Sequence, residues 1–326
     1  MTDHGLSTTK YPLTFDEFVG QEQAKRQLIT AARSAKIRKA AMDHVLLASG
    51  TPGIGKTSLA LLTAEELGGS CEVKVVSGKI PPSEARIALS GLSDGDVLIY
   101  DEIHMAVQGG KGNAEWLLHL LQDGVIMGPM GPEKQPDITV IGCTTDAGRL
   151  PETILQRFPL KPVLVEYSDE EATRIAAFLS HQTFPQEMSL PTIENCSQIA
   201  EAASHNPRTM RAILINVRDI ALTNELSNFN PSTGAYDLSE ALTWLGLSPD
   251  GLDDLMRRYL VTLMTDFKGK AGERALADAL QEPGGLGQTE RVLMRKGYLA
   301  KTSSGRDLTG TGIKRAREVI IARDAA

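Results

Sequence analysis

The sequence predicts an α/β domain built on a parallel sheet, then an all-helical domain, then a C-terminal winged-helix domain. Three observations carry that reading. The glycine-rich run Gly50-Thr51-Pro52-Gly53-Ile54-Gly55-Lys56-Thr57 lies between the apolar residues 45–48 and the alanine-rich stretch 58–67, an order of strand, loop and helix. Up to about residue 165, β-rich apolar runs alternate with helical stretches, the mark of a parallel sheet with helices on both faces. Beyond Tyr167 the pattern is helical, and the chain closes on helices followed by a short hairpin pattern.

A loose lead-in over 1–12 precedes the first domain, 13–167, whose expected strands are 45–48, 73–76, 97–100, 139–142 and 161–165. Nearly continuous apolarity in these runs suits strands buried on both faces. The helical domain spans 168–246. It opens on Ser168-Asp169-Glu170-Glu171, an N-cap followed by acidic first-turn residues, with further helices over 193–203, 207–226 and 238–245. Residues 228–234 form a turn-rich break within it. The third domain, 247–326, reads as helices over about 252–267, 273–280 and 288–296, then a hairpin across 297–309.

A net charge of -7 favours solubility and gives no support to wholesale binding of nucleic acid or an anionic membrane, while leaving room for a local basic surface. Cys71, Cys143 and Cys196 are far apart and form no ligand-spacing motif, which points to a reduced, cytoplasmic setting without disulfides or zinc. The start Met1-Thr2-Asp3-His4-Gly5 lacks a secretory pattern, and no apolar run reaches the roughly 20 residues that span a bilayer, so no membrane role is expected.

The glycine-rich loop predicts nucleoside-triphosphate binding. Gly50, Thr51, Pro52, Gly53, Ile54 and Gly55 let successive backbone N–H groups face one small volume, and the helix opening at Lys56, Thr57 and Ser58 adds positive potential. Lys56 can reach the β- and γ-phosphates, and the Thr57 hydroxyl can help hold Mg2+. The strand 97–100 ends in Asp101 and Glu102, at the sheet edge where open α/β folds bind ligands. Asp101 is the second candidate metal ligand, and Glu102 is the candidate for orienting the attacking water.

With these residues in place, the chain resembles the AAA+ ATPases and, within them, the RuvB family of Holliday-junction branch-migration motors. The matching phrases are Phe15-Asp16-Glu17-Phe18-Val19-Gly20-Gln21-Glu22, Asp43-His44-Val45-Leu46-Leu47, the phosphate loop, and Gly95-Asp96-Val97-Leu98-Ile99-Tyr100-Asp101-Glu102-Ile103-His104. They continue through Ile141-Gly142-Cys143-Thr144-Thr145, Gln156-Arg157-Phe158, Val217-Arg218-Asp219 and Arg258-Tyr259-Leu260. The resemblance implies an AAA+ P-loop sheet, an all-helical lid and a winged-helix domain that bind ATP/ADP with Mg2+. It implies that Thr145 senses the γ-phosphate, Arg157 is an arginine finger serving a neighbouring subunit, and Arg208 contacts the nucleotide from the lid. Tyr11, Pro12, Val19 and Gly20 match the adenine-enclosing segment. A finger acting in trans implies a ring of identical subunits, a hexamer.

The implied activity is an ATP-driven motor on branched or duplex DNA. A clamp-loader-like or protein-remodelling ATPase and an ATP-controlled DNA-binding switch stand as alternatives. Candidate phosphate contacts are Arg291, Arg295, Lys296, Lys301, Arg306, Lys314, Arg315 and Arg317, with Arg306 expected near the wing tip. The resemblance also implies docking on a RuvA-like junction-recognition protein through a β-hairpin. Here that segment, 121–141, reads as shortened and turn-rich; Met127 and Met130 are either a residual docking contact or loop filling. Asp146 stands where the family commonly carries arginine, and Gly109 and Gly110 sit in a glycine-rich stretch read as a pore-facing, interface or plain exposed loop.

Overall fold

Side chains alternate across a strand, so a strand apolar at every position must be covered on both faces. In the first unit, β1 (Val45–Ala48), β6 (Thr139–Thr144) and β3 (Val97–Asp101) meet that condition, and β2 (Val73–Ser77) forms the open edge in the parallel order β1-β6-β3-β2. One face carries Val45, Leu47, Val97, Ile99, Ile141 and Cys143 against α1 (Glu22–Arg38) and α2 (Lys56–Leu67). The other carries Leu46, Leu98, Tyr100 and Val140 against α3 (Pro82–Leu89) and α4 (Lys111–Asp123). At the edge, Val73 and Val75 remain 36% and 45% exposed.

This computed structural model describes residues 14–68, 71–108, 111–128, 131–223, 228–282, 285–303 and 305–324. The expected lead-in, with Tyr11 and Pro12, lies outside them, as do Gly109, Gly110, Met130 and the side chain of Met127. The chain divides into two compact units, 1–171 and 172–326.

The expected strand at 161–165 does not form. Only the isolated parallel bridges Val45↔Leu160 and Ala48↔Val163 run along β1. Pro159 and Pro162 lack the N–H groups a continuous ladder needs. Between α4 and β6 the chain makes an antiparallel hairpin, β4 (Val125–Gly128) with β5 (Gly131–Lys134), in which Gly128 faces Gly131. Helix α4 already begins at Lys111, so the second half of the glycine-rich stretch is helical. After β6, the short α5 (Glu152–Leu155) leads to Arg157.

Helix α6 (Asp169–Thr183) starts in a reciprocal cap: Ser168 N–H donates to Glu171 Oε2 at 2.9 Å and Glu171 N–H to Ser168 Oγ at 3.2 Å. In the second unit follow α7 (Ile193–Ala202), α8 (Pro207–Thr223), a minimal hairpin of β7 (Phe229–Asn230) with β8 (Ala235–Tyr236), and α9 (Ser239–Trp244). The turn-rich break is therefore a small hairpin.

The same unit continues with α10 (Asp254–Thr265), β9 (Lys270–Ala271), α11 (Glu273–Leu280), α12 (Gly287–Arg295), β10 (Leu299–Thr302), β11 (Gly305–Leu308) and α13 (Gly310–Asp324). Its antiparallel sheet has the order β10-β11-β9. Tyr259, Leu260, Leu263, Leu276, Leu293 and Ala316 form its core. Gly251, at φ 75°, leaves room for the Ala202 carbonyl, which a Cβ would meet at 2.1 Å. Lys296 Nζ donates to Glu201 O at 3.2 Å, and Arg295 donates to the Ser204 carbonyl. The helical and winged parts of this unit are thus joined directly.

Candidate active site

The loop after β1 ends at Gly55, the residue before α2, with φ 99°. A Cβ there would lie 2.7 Å from the Phe18 ring, so glycine serves both the left-handed backbone and the close approach. Tyr167 braces the same loop: its buried hydroxyl donates to Ile54 O at 2.8 Å. Burial pushes the Tyr167 phenol well above its ordinary value, so it stays a neutral donor. Gly20, at φ 76°, packs where a Cβ would meet the Tyr167 ring at 3.0 Å, which sets the Val19-Gly20 segment beside the loop's support.

Lys56 opens α2, only 7% exposed, with Nζ donating to Ser49 O and Thr51 O, each at 3.2 Å. The cation thus lies curled under the loop it belongs to. Thr57 Oγ1 donates to Asp101 Oδ1 at 3.4 Å, bringing the two candidate metal ligands together. A hydroxyl and a carboxylate are hard oxygen donors of the kind Mg2+ takes, with the rest of its shell supplied by phosphates and water. Among the described residues there is no cluster of three or more His, Cys, Asp or Glu that could hold a metal by itself. The fit is to a metal shared with a phosphate ligand.

Glu102 follows β3 in the left-handed region, at φ 50°. Its Oε2 accepts from Thr145 N–H at 3.1 Å and from Thr145 Oγ1 at 2.9 Å. His104 Nδ1 lies 3.2 Å from the same oxygen and 2.9 Å from Thr144 Oγ1. Thr144 Oγ1 also accepts from Asp146 N–H at 3.0 Å, and the Asp146 carboxylate pairs with Arg149 at 2.8 Å. Beneath them Cys143 is buried, and burial, reinforced by Asp101, raises its thiol far above the reactive range. The end of β3 and the end of β6 therefore hold two carboxylates beside the first turn of α2.

Arg157 lies just past α5, anchored by the fully buried Phe158. Its Nε is buried and makes no hydrogen bond among the described residues. Arg208 is exposed at the second position of α8 in the other unit, and its backbone N–H donates to Asn206 Oδ1 at 3.0 Å.

Arg306 corrects an expectation. It is 8% exposed on β11 rather than presented at the wing tip. Its Nε and Nη2 bond to Glu290 at 2.8–3.0 Å, and Nη2 also bonds to Glu273 at 2.6 Å. The physical reason is the buried Glu290, whose charge must be neutralised inside the domain, with Tyr259 Oη donating a further bond at 3.1 Å. Arg315 is likewise turned inward, onto Asp250 at 2.6 Å. Arg291, Arg295, Lys301, Lys314 and Arg317 are the exposed members of the basic set.

Sequence reasoning missed Phe18, His104 and Tyr167. Only the short motif phrases around Phe18 and His104 hinted at them, and nothing local tied Tyr167 to a carbonyl 113 residues away.

A family model described as the Holliday junction DNA helicase RuvB P-loop domain matches residues 11–164, and one described as the RuvB C-terminal winged helix domain matches 249–316. The Holliday junction branch migration complex subunit RuvB of Sulfurimonas denitrificans is 32% identical, the match covering 96% of this chain and 92% of the relative. The protein of the same name from Kosmotoga olearia is 30% identical, covering 93% and 89%. The solved Thermotoga maritima RuvB Holliday junction branch migration motor superposes with a TM-score of 0.77 at 28% identity, over 94% of this chain and 98% of that one.

Proposed function

This chain belongs to the RuvB family, and we propose that it is an ATP-driven DNA motor of the branch-migration kind, hydrolysing ATP to ADP and phosphate. One observation carries the chemistry: Lys56, the Thr57–Asp101 pair and the Thr145–Glu102 pair converge where the ends of β3 and β6 meet the first turn of α2. In this reading Lys56 leaves the Ser49 and Thr51 carbonyls for the β- and γ-phosphates. Thr57 and Asp101 would hold Mg2+, which neutralises phosphate charge. Glu102 orients the attacking water and accepts its proton, and Thr145 reports the γ-phosphate. Val19 and Gly20 flank the adenine side, braced by Tyr167.

The buried, unbonded Nε of Arg157 supports a finger completed by a neighbouring subunit's nucleotide, and hence a hexameric ring. Arg208 keeps its proposed nucleotide-contacting role by its place in the motif alone. The DNA contact moves from Arg306 to the exposed Lys301 and Arg291, which suit phosphate rather than base recognition. A RuvA-like junction-recognition partner is proposed to dock at the β4–β5 hairpin. No helix among the described residues is long and apolar enough to cross a membrane, and the three free cysteines fit a cytoplasmic motor. Similarity that extends through the winged-helix domain favours the motor over a clamp-loader-like, remodelling or switch role.

The test compares ATP turnover without DNA, with linear duplex and with a four-way junction, for the wild type and Glu102→Gln. The motor requires DNA stimulation, junction movement, and loss of turnover with ATP binding retained in the variant. Turnover indifferent to every DNA form rejects it.

A further inference from the structure

One oxygen of the Glu102 carboxylate accepts from Thr145 N–H and Thr145 Oγ1, and His104 Nδ1 lies 3.2 Å from that oxygen. The same nitrogen makes its hydrogen bond with Thr144 Oγ1 at 2.9 Å, so a protonated Nδ1 serves Glu102 by turning its one proton from Thr144 to the carboxylate. The backbone beneath is fixed as well. Gly78 N–H donates to Asp101 O at 2.6 Å, and a Cβ on Gly78 would sit 2.1 Å from the Glu102 carbonyl. Of Glu102, it is the side chain rather than the backbone that is free to respond to a ligand.

Thr145 cannot serve Glu102 and a γ-phosphate with one hydroxyl proton. When it turns to the nucleotide, Glu102 loses its shortest bond, and the side-chain donor left to it is His104. That imidazole is well held: 6% exposed, on a short helical turn over 103–107. We propose that His104 is a positioning residue for ATP hydrolysis, holding the Glu102 carboxylate through Nδ1–H while the Thr145 hydroxyl transfers to the γ-phosphate. The inference rests on the reading of Glu102 as the group that orients water.

Single-turnover hydrolysis, ATP affinity and thermal midpoint are to be measured on the full chain for the wild type, Glu102→Gln, His104→Leu, His104→Asn and His104→Gln. Asparagine carries an amide N–H close to the Nδ1 position; glutamine carries it one bond further out, and leucine has none. His104→Leu should slow hydrolysis about tenfold with ATP affinity changed less than about twofold, and His104→Asn should recover most of the rate. If leucine lowers the thermal midpoint, the asparagine–glutamine pair decides, with asparagine the faster. Equal rates for that pair, or a wild-type rate in His104→Leu beside an inactive Glu102→Gln, overturn the role of His104. A wild-type rate in Glu102→Gln overturns the underlying reading of the site instead.

Discussion

The Tyr167 hydroxyl donates to the Ile54 carbonyl at 2.8 Å, tying the segment just before α6 to the glycine-rich loop. The same ring limits the space beside Gly20, and its hydroxyl would stand 3.3 Å from a Cβ on Gly55. One aromatic thus shapes both the Val19-Gly20 segment and the glycine-rich turn before α2.

Tyr167→Phe removes the donor and leaves the buried ring almost unchanged, so the Ile54 carbonyl loses that partner. We expect a stability loss of about 1–2 kcal/mol. ATP affinity should weaken about threefold to tenfold because the loop loses its preorganisation. Urea unfolding and equilibrium ATP titration check the two effects, and a variant matching wild type in both would show the bond to be idle.

The Arg306 cluster separates stability from DNA binding. Arg306→Met strands Glu290, 4% exposed, without its bidentate partner, and should cost about 3–5 kcal/mol. Lys301→Ala and Arg291→Ala remove exposed charges and should change stability by less than about 0.5 kcal/mol. They should nevertheless weaken DNA binding, and the salt slope should fall by about one for each phosphate no longer neutralised. Salt-dependent binding isotherms and unfolding curves on the same variants give both readings. Loss of DNA affinity in Arg306→Met with unchanged stability would return that arginine to the interface.

How legible the chain was depended on whether the signal was local. Strands β1, β3 and β6 carry nearly continuous apolar runs, so their positions read directly from the sequence. The Ser168–Glu171 cap was visible for the same reason, its two halves lying three residues apart. The place of Asp101 and Glu102 followed from putting a strand end at the ligand edge of a parallel sheet, and Thr145 joined them through the family resemblance. The failures are non-local or subtractive. Residues 161–165 have strand-like side chains, but Pro159 and Pro162 remove ladder donors. Arg306 looks like any wing arginine until Glu290 and Glu273, from two other helices, are seen to converge on it.

Acid should weaken the first unit through His44. Its Nδ1 accepts from Val140 N–H at 3.0 Å, which requires a neutral imidazole, and its half-buried ring lies 6.4 Å from that of Phe158. Burial lowers its pKa from the ordinary 6.5, against the opposing pull of Asp43 and Asp137. Because the unfolded chain then binds the proton more readily, His44 contributes stability that is full above 6.5 and falls as pH drops toward the depressed folded value. Unfolding free energies taken from about pH 7.5 down to about 5.5 should decline more steeply in the wild type than in His44→Gln. Parallel slopes would assign the acid sensitivity elsewhere.

Arg157 offers the sharpest test of the ring. Its Nε is buried and unbonded among the described residues, an arrangement that costs energy until a hydrogen-bonding group satisfies it. An Arg157→Ala subunit keeps its own Lys56, Asp101 and Glu102 but cannot complete its neighbour's site. A Glu102→Gln subunit has the reverse defect. Each alone should turn over ATP at least about 100-fold more slowly than wild type. Mixed in equal amounts, they place an intact Arg157 beside an intact Glu102 at about a quarter of the interfaces if assembly is random, so turnover should reappear well above either parent. Were Arg157 to act within its own subunit, every site in the mixture would lack one group or the other, and mixing would restore nothing.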